Sequence, residues 1–212
     1  DEINKFINLY NELPITVHNK KQNVIKKRWL VEYGKDLERL FYNKLKNEIG
    51  DFKYDNLKTD DGNDILGLFQ ESYNPIGLHI DGGFNLEDLI YKQTLIPLTP
   101  VGSTVIFKNR FYGQSTNFTI DKKELEKKDL KYGQNKRSSE HLGLYGNSEF
   151  DKEMHKNYLL HEDINNLRGL EVELIFKWKI GDLLIFDRSH LHCSSKNINK
   201  KKLGFTSSTK KI

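Results

Sequence analysis

Three side chains, in a particular order, define the chemistry open to this chain. His79 and Asp81 stand two residues apart in GLHIDGG, and His192 follows much later in GDLLIFDRSHLHCSS. On an extended strand, residues i and i+2 project to one face, so the His79 imidazole and the Asp81 carboxylate can converge on one cation. Gly82 and Gly83 then let the chain turn away sharply. With His192 the set becomes two imidazoles and one carboxylate, which is what non-haem Fe(II) takes when it keeps open positions for oxygen chemistry. His141, His155 and His161 lie in a long polar stretch and read as solvated.

Beyond His192 the chain continues CSSKNINKKKLGFT, where Asn197 and Asn199 supply turn chemistry. A hairpin centred on Asn197 pairs residue 192 with residue 202. That register puts the Lys202 ammonium on the His192 face, just beyond the metal, and Lys201 on the other side. A buried lysine there suits an anionic co-substrate, because a carboxylate brought out of water must be paired. His190, at i−2 from His192, faces the same way; a hydrogen bond to Asp187 is the preferred reading and substrate contact the other. Arg188 has two readings of equal weight, a cation at the pocket mouth for an anionic substrate or an exposed turn residue. Cys193 has the opposite parity and reads as a small buried apolar residue.

Together, HIDGG, FDRSHLHCSS and KKLGFT resemble the Fe(II)/2-oxoglutarate-dependent oxygenases of the prolyl-hydroxylase and phytanoyl-CoA-hydroxylase type. TLIPLTPVGSTVIF resembles the strand–turn–strand that follows their H-x-D, and the likeness runs from Leu66 to Thr209 apart from the long insertion. It implies a mainly β protein with N-terminal helices, built on a double-stranded β-helix (jelly roll, cupin-like). It implies His79, Asp81 and His192 as metal ligands, Lys202 on the distal carboxylate of 2-oxoglutarate, and O2 as the oxidant. The reaction it implies is hydroxylation of a small molecule or an amino-acid side chain, with release of succinate and CO2. Two features depart from the pattern: Lys202 stands where many relatives have Arg, and Gly204 where they have Ser. Lys supplies the charge without the bidentate fork, and Thr206, Tyr73 or Thr94 are the candidates for the missing hydroxyl. Retention of Asp81 leaves no halide position and favours hydroxylation over halogenation. Gly204 and the missing Arg also motivate an alternative, a cupin-like metal- or sugar-binding protein without oxygenase activity.

The elements that must position these residues are legible in part. Of 212 residues, 36% are hydrophobic and 30% charged, yet 11% aromatic content supplies enough buried area for a core. One Cys excludes an intramolecular disulfide, and the net charge of +4 is too small to point to nucleic acid. No apolar run approaches a membrane span and the N-terminus lacks a signal-peptide layout, so the expectation is one cytoplasmic domain, and the resemblance implies a small-molecule or peptide substrate. Oligomeric state is not encoded in any motif. Leu37, Leu40, Phe41 and Leu45 predict a helix over Asp36–Ile49, and Gln22–Tyr33 is a weaker helix. Short runs bounded by turn residues predict strands at Asp64–Glu71, Ile76–Asp81, Lys92–Leu98, Ser103–Lys108, Leu170–Lys179, Asp182–Phe186, His190–Ser194 and Leu203–Thr209. Hence residues 1–50 are expected as helical support and 64–108 with 170–209 as the jelly-roll core. Residues 109–169 form an insertion or lid, with a solvated run at Asp121–Lys131 and a helix within Asp151–Leu160. Neither G-x-G-x-x-G nor a Walker loop is present.

Overall fold

Alternation along a few strands builds the molecule. A computed structural model describes residues 2–20, 23–55, 58–81, 90–112, 136–137, 139–196 and 200–212. The Asp121–Lys131 run, Gly82, Gly83, Asn197 and Asn199 lie outside the described residues. Strands β1 (Val17–Asn19), β2 (Val24–Leu30), β3 (Phe52–Tyr54), β4 (Ile65–Ser72), β5 (Ile90–Pro97), β6 (Ser103–Arg110), β7 (Val172–Lys177), β8 (Leu184–Asp187), β9 (His190–Ser194) and β10 (Lys202–Lys211) form two sheets. The seven-stranded sheet runs β1-β2-β4-β10-β5-β8, with β3 paired to β10, and the three-stranded sheet runs β7-β6-β9. All pairings are antiparallel.

One face of the large sheet carries the main core. Helices α1 (Glu2–Glu12) and α2 (Lys35–Ile49) turn Phe6, Leu9, Tyr10, Leu37, Phe41 and Leu45 onto Trp29, Phe69 and Phe205. Gly34 precedes α2 in the left-handed region at φ 59°, and Gly50 ends it at φ 80°, conformations that suit a residue without Cβ. Each large apolar side chain sealed here contributes about 1.5–3 kcal/mol over exposure. The other face of the sheet closes over β6 and β9 through Leu95, Ile106, Trp178, Leu184 and Phe186, leaving an interior between the sheets.

The segment expected as a helix at Gln22–Tyr33 is instead strand β2, paired with β4 from Val24 to Leu30. Val24, Ile25 and Trp29 fit a helical stripe in isolation, but the pairing partner decides, as β-branched residues favour. Lys27 confirms the strand parity: it lies buried beside Trp29 on the helix face and donates to the Tyr10 carbonyl at 2.6 Å. The short helix Lys152–Tyr158 falls within the expected stretch, with Asp151 capping Met154 N–H at 2.8 Å. Phe150, Leu159, Leu167 and Leu170 cover the outer face of the small sheet, against Val105, Phe107, Leu191 and Cys193. His141 and His161, expected as solvated, are buried and half-buried here, and desolvation pulls both imidazoles down to about 4.

Candidate metal centre

His192 sits at the middle of β9, opposite Ile106 of β6. His79 and Asp81 come from an irregular segment, so the strand expected at Ile76–Asp81 reduces to one bridge between His79 and His192. Its two backbone bonds, His79 N–H to the His192 carbonyl and the reverse, are both 2.9 Å. Two more contacts hold the segment: Ser194 N–H donates to the Ile76 carbonyl at 2.9 Å, and Leu78 N–H donates to Glu162 Oε1 at 2.7 Å. Glu162 is buried, and burial raises its carboxyl to about 7. Sequence reasoning passed over it, because nothing local marks a glutamate that reaches a backbone amide 84 positions away.

The side chains meet closely. Asp81 Oδ2 lies 3.3 Å from His192 Nε2 and Asp81 Oδ1 3.6 Å from His79 Nε2. One ligand atom from each of the three falls within 4.8 Å of the others. Ligands about 2.0–2.2 Å from a shared ion stand roughly 3–4 Å apart, so the three fit one cation. Both imidazoles are also set in the right tautomer. His79 Nδ1 is 2.7 Å from the Gly77 carbonyl and His192 Nδ1 3.0 Å from the His190 carbonyl. A carbonyl only accepts, so each Nδ1 carries a proton, and each Nε2 is the nitrogen that faces Asp81 and would give its lone pair to a metal. Burial pushes the Asp81 carboxyl up, but the His192 and His79 imidazoles outweigh it and hold it well below its usual range. The donor set is therefore ready for a metal.

Lys202 reaches the site by another route than a hairpin. Strands β9 and β10 belong to different sheets, and Lys202 pairs with Ser72 of β4, not with His192. Its ammonium crosses the interior to donate to the Ser103 carbonyl at 3.0 Å and Ser194 Oγ at 3.2 Å, two residues along β9 from His192. The Trp178 ring lies over it, 4.2 Å from the ring centroid. Lys202 is 3% exposed, and no described carboxylate is within ion-pair distance. Desolvation accordingly lowers it to about 7. A Cβ on Gly204 would meet Trp178 Cη2 at 2.7 Å, so the indole fills the space where a hydroxyl was expected.

Of the three hydroxyl candidates, Thr206 shares the inner face with Lys202 and Gly204; its Oγ1 donates to the Leu68 carbonyl at 3.4 Å. Thr94 pairs with Ser207 and sits on the helix-facing side, donating to the Ser207 carbonyl at 3.1 Å. Tyr73 Oη donates to Glu71 at 2.8 Å, the same carboxylate that accepts from Tyr10 of α1, again on the helix side. Register places Thr94 away from the interior, and Tyr73, just past the end of β4, is turned by its bond to Glu71. Arg188 is neither at the mouth nor exposed: it is buried, with its guanidinium on Asp55 and on the Thr209 carbonyl at 3.2 Å. His190 lines the same side as His192, with Nδ1 2.9 Å from the Phe107 carbonyl and Nε2 3.8 Å from Asp187, too far for the hydrogen bond expected there. Asp187 is instead held by Lys92 and by Arg110.

No family model and no curated protein matches the chain. Solved structures do match. HygX from Streptomyces hygroscopicus, with nickel, 2-oxoglutarate and hygromycin B bound, superposes with a TM-score of 0.51 at 12% identity, over 100% of this chain and 78% of that one. A 2OG-Fe(II) oxygenase family oxidoreductase from Burkholderia pseudomallei gives 0.50 at 10%, over 98% and 77%. The fold is thus the double-stranded β-helix found in structures of 2-oxoglutarate oxygenases. Among the described residues no helix is long and apolar enough to cross a membrane.

Proposed function

We propose that this protein is an Fe(II)- and 2-oxoglutarate-dependent oxygenase that hydroxylates a small molecule or an amino-acid side chain and releases succinate and CO2. One observation carries the reading: a His79–Asp81–His192 ligand set shares its interior with a buried lysine that has no described acid partner. When bound, iron and 2-oxoglutarate supply the oxidising chemistry with O2. The chain's own tasks are narrower. His79, Asp81 and His192 hold the ion from one side and leave its other positions open. Lys202 offers its ammonium to the distal carboxylate, and the binding of that charge gives a pair to a buried cation that has none among the described residues. Trp178, Ile106, Leu95, Leu184 and Phe186 wall the interior and exclude water, with the Phe186 ring 5.1 Å from that of His192. A metal- or sugar-binding protein without oxygenase activity leaves the buried Lys202 charge without a task.

The test is conversion of 2-oxoglutarate to succinate by the Fe(II)-loaded protein without added substrate. Turnover should be measurable in the wild type and absent in His79→Ala and Asp81→Ala. Full iron loading with no affinity for 2-oxoglutarate would sink the reading.

A further inference from the structure

A lysine ammonium has three N–H donors, and the surroundings of Lys202 account for all of them. Two are taken by the Ser103 carbonyl and by Ser194 Oγ, and the remaining side faces the Trp178 ring, whose centroid is 4.2 Å from Nζ. Both partners are buried, and a cation out of water gains most from a π face. The indole thus stands in for an acid. It is also pinned. Trp178 directly follows β7, and its backbone N–H donates to the Gly102 carbonyl at 3.1 Å. Its Nε1–H donates at 2.9 Å to the Oγ1 of Thr104, the residue of β6 that pairs with Ser194. Its far edge rests on Gly204, which shares the inner face of β10 with Lys202. A Cβ at 204 would lie 2.7 Å from Cη2 and 3.2 Å from Cζ3 of the ring, and 3.3 Å from Leu95 Cδ1. A side chain at 204 and an indole at 178 therefore exclude each other, and the glycine is what admits the ring.

We propose that Trp178 sets the length of the 2-oxo acid this site accepts: it is a rigid wall beside Lys202 that yields the ammonium to a distal carboxylate and excludes a longer chain. The inference rests on the oxygenase reading and adds co-substrate selection to it. Of the three partners of the ammonium, the neutral ring is the weakest acceptor, so a charged carboxylate displaces the ring and leaves the two strand contacts in place. Held by Thr104 and by Gly204, the ring has little room to retreat, and the space left beside it is what the carboxylate must fit. One methylene too many in a fitted pocket costs about 10- to 200-fold in preference. The 2-oxo acid longer than 2-oxoglutarate by one methylene, 2-oxoadipate, is therefore the discriminating probe.

The experiment is calorimetry on the full chain loaded with Mn(II), titrated with 2-oxoglutarate and, separately, with 2-oxoadipate. The wild type should favour 2-oxoglutarate by at least about 10-fold. Trp178→Leu removes both the π face and the width, and should weaken 2-oxoglutarate binding while the preference between the two acids collapses. Trp178→Phe keeps a face on a smaller ring, so 2-oxoglutarate affinity should fall only a few-fold while the preference still shrinks. Gly204→Ala drives a methyl into the indole and should weaken 2-oxoglutarate binding by about 10-fold, and adding Trp178→Phe to it should restore most of the loss. Val31→Ala, at an exposed position, should change neither constant. Urea unfolding checks that each variant folds, and if Trp178→Leu does not, Trp178→Phe and the Gly204 pair decide. Equal affinity of the wild type for the two acids, or a preference unchanged in the folded Trp178 variants, overturns the inference. Mn(II) bound, as read by electron paramagnetic resonance, with no binding of either acid strikes the oxygenase reading instead.

Discussion

The two faces of the large sheet are made by the same strands and do opposite jobs. On β2, β4 and β10 the outward residues are Trp29, Phe69 and Phe205, each sealed by the helices. Phe205 lies 4.9 Å from Phe69 and 5.5 Å from Trp29, centroid to centroid. The inward residues of those strands include Lys26, Arg28, Gln70, Lys202 and Thr206. A period of two lets one strand satisfy both demands. Stability is concentrated on one face, and the other is released to hold charges a packed core would reject.

Substitutions can break that division or sharpen it. The largest effect is expected outside: Phe205→Ala should cost about 3–5 kcal/mol, as for other buried aromatic truncations. Urea unfolding would show this as a lowered midpoint, with metal affinity of the folded protein unchanged. Lys202→Met should do the reverse. Removing a buried cation that has no described acid partner should leave the midpoint unchanged or raised, while 2-oxoglutarate affinity falls about 10- to 100-fold, the worth of a charge-assisted hydrogen bond. The pH dependence carries the same signature. Lys202 sits at about 7 in the folded protein against an ordinary 10.5, so between those values the unfolded chain binds the extra proton. Stability of the ligand-free protein should therefore rise with pH across that window, and the Lys202→Met variant should lose that slope. Above pH 7, 2-oxoglutarate binding should take up a proton, measurable by calorimetry in buffers of different ionisation heat.

Smaller effects test the supports. Glu162→Gln removes the charge but keeps an acceptor for Leu78 N–H, and should weaken metal binding by about 10-fold, the usual loss when a supporting contact is altered. Manganese titration would read it directly. Smallest is a matched pair: Thr206→Val should weaken 2-oxoglutarate binding a few-fold, and Thr94→Val should not, because they lie on opposite faces.

The sequence made the convergence of His79 with Asp81 legible because the argument needs only two neighbouring positions and the chemistry of their side chains. Apart from Ile76–Asp81, which is an irregular segment with a single bridge, the β strands from Asp64 onward were readable for the same local reason. What was not legible depends on partners far along the chain. The stretch from His192 to Lys202 looked like a hairpin, yet its two strands lie in different sheets, and the lysine reaches β9 across the interior. The β2 segment has apolar residues at a spacing two elements can share, and only β4 decides between them. Likewise Thr94 and Tyr73 were near in sequence to the site, but strand register turned Thr94 the other way and Tyr73 bonds to Glu71 on the helix side.

The segment bearing His79 and Asp81 is stitched to the small sheet at one bridge, yet it supplies two of the three side chains that could hold a metal. An ion seated there would tie that segment to β9 as a rivet ties a loose plate, completing the edge of the barrel. Catalyst and fastener would then be one atom, and loading should slow amide exchange at Leu78 and His79 before any substrate arrives.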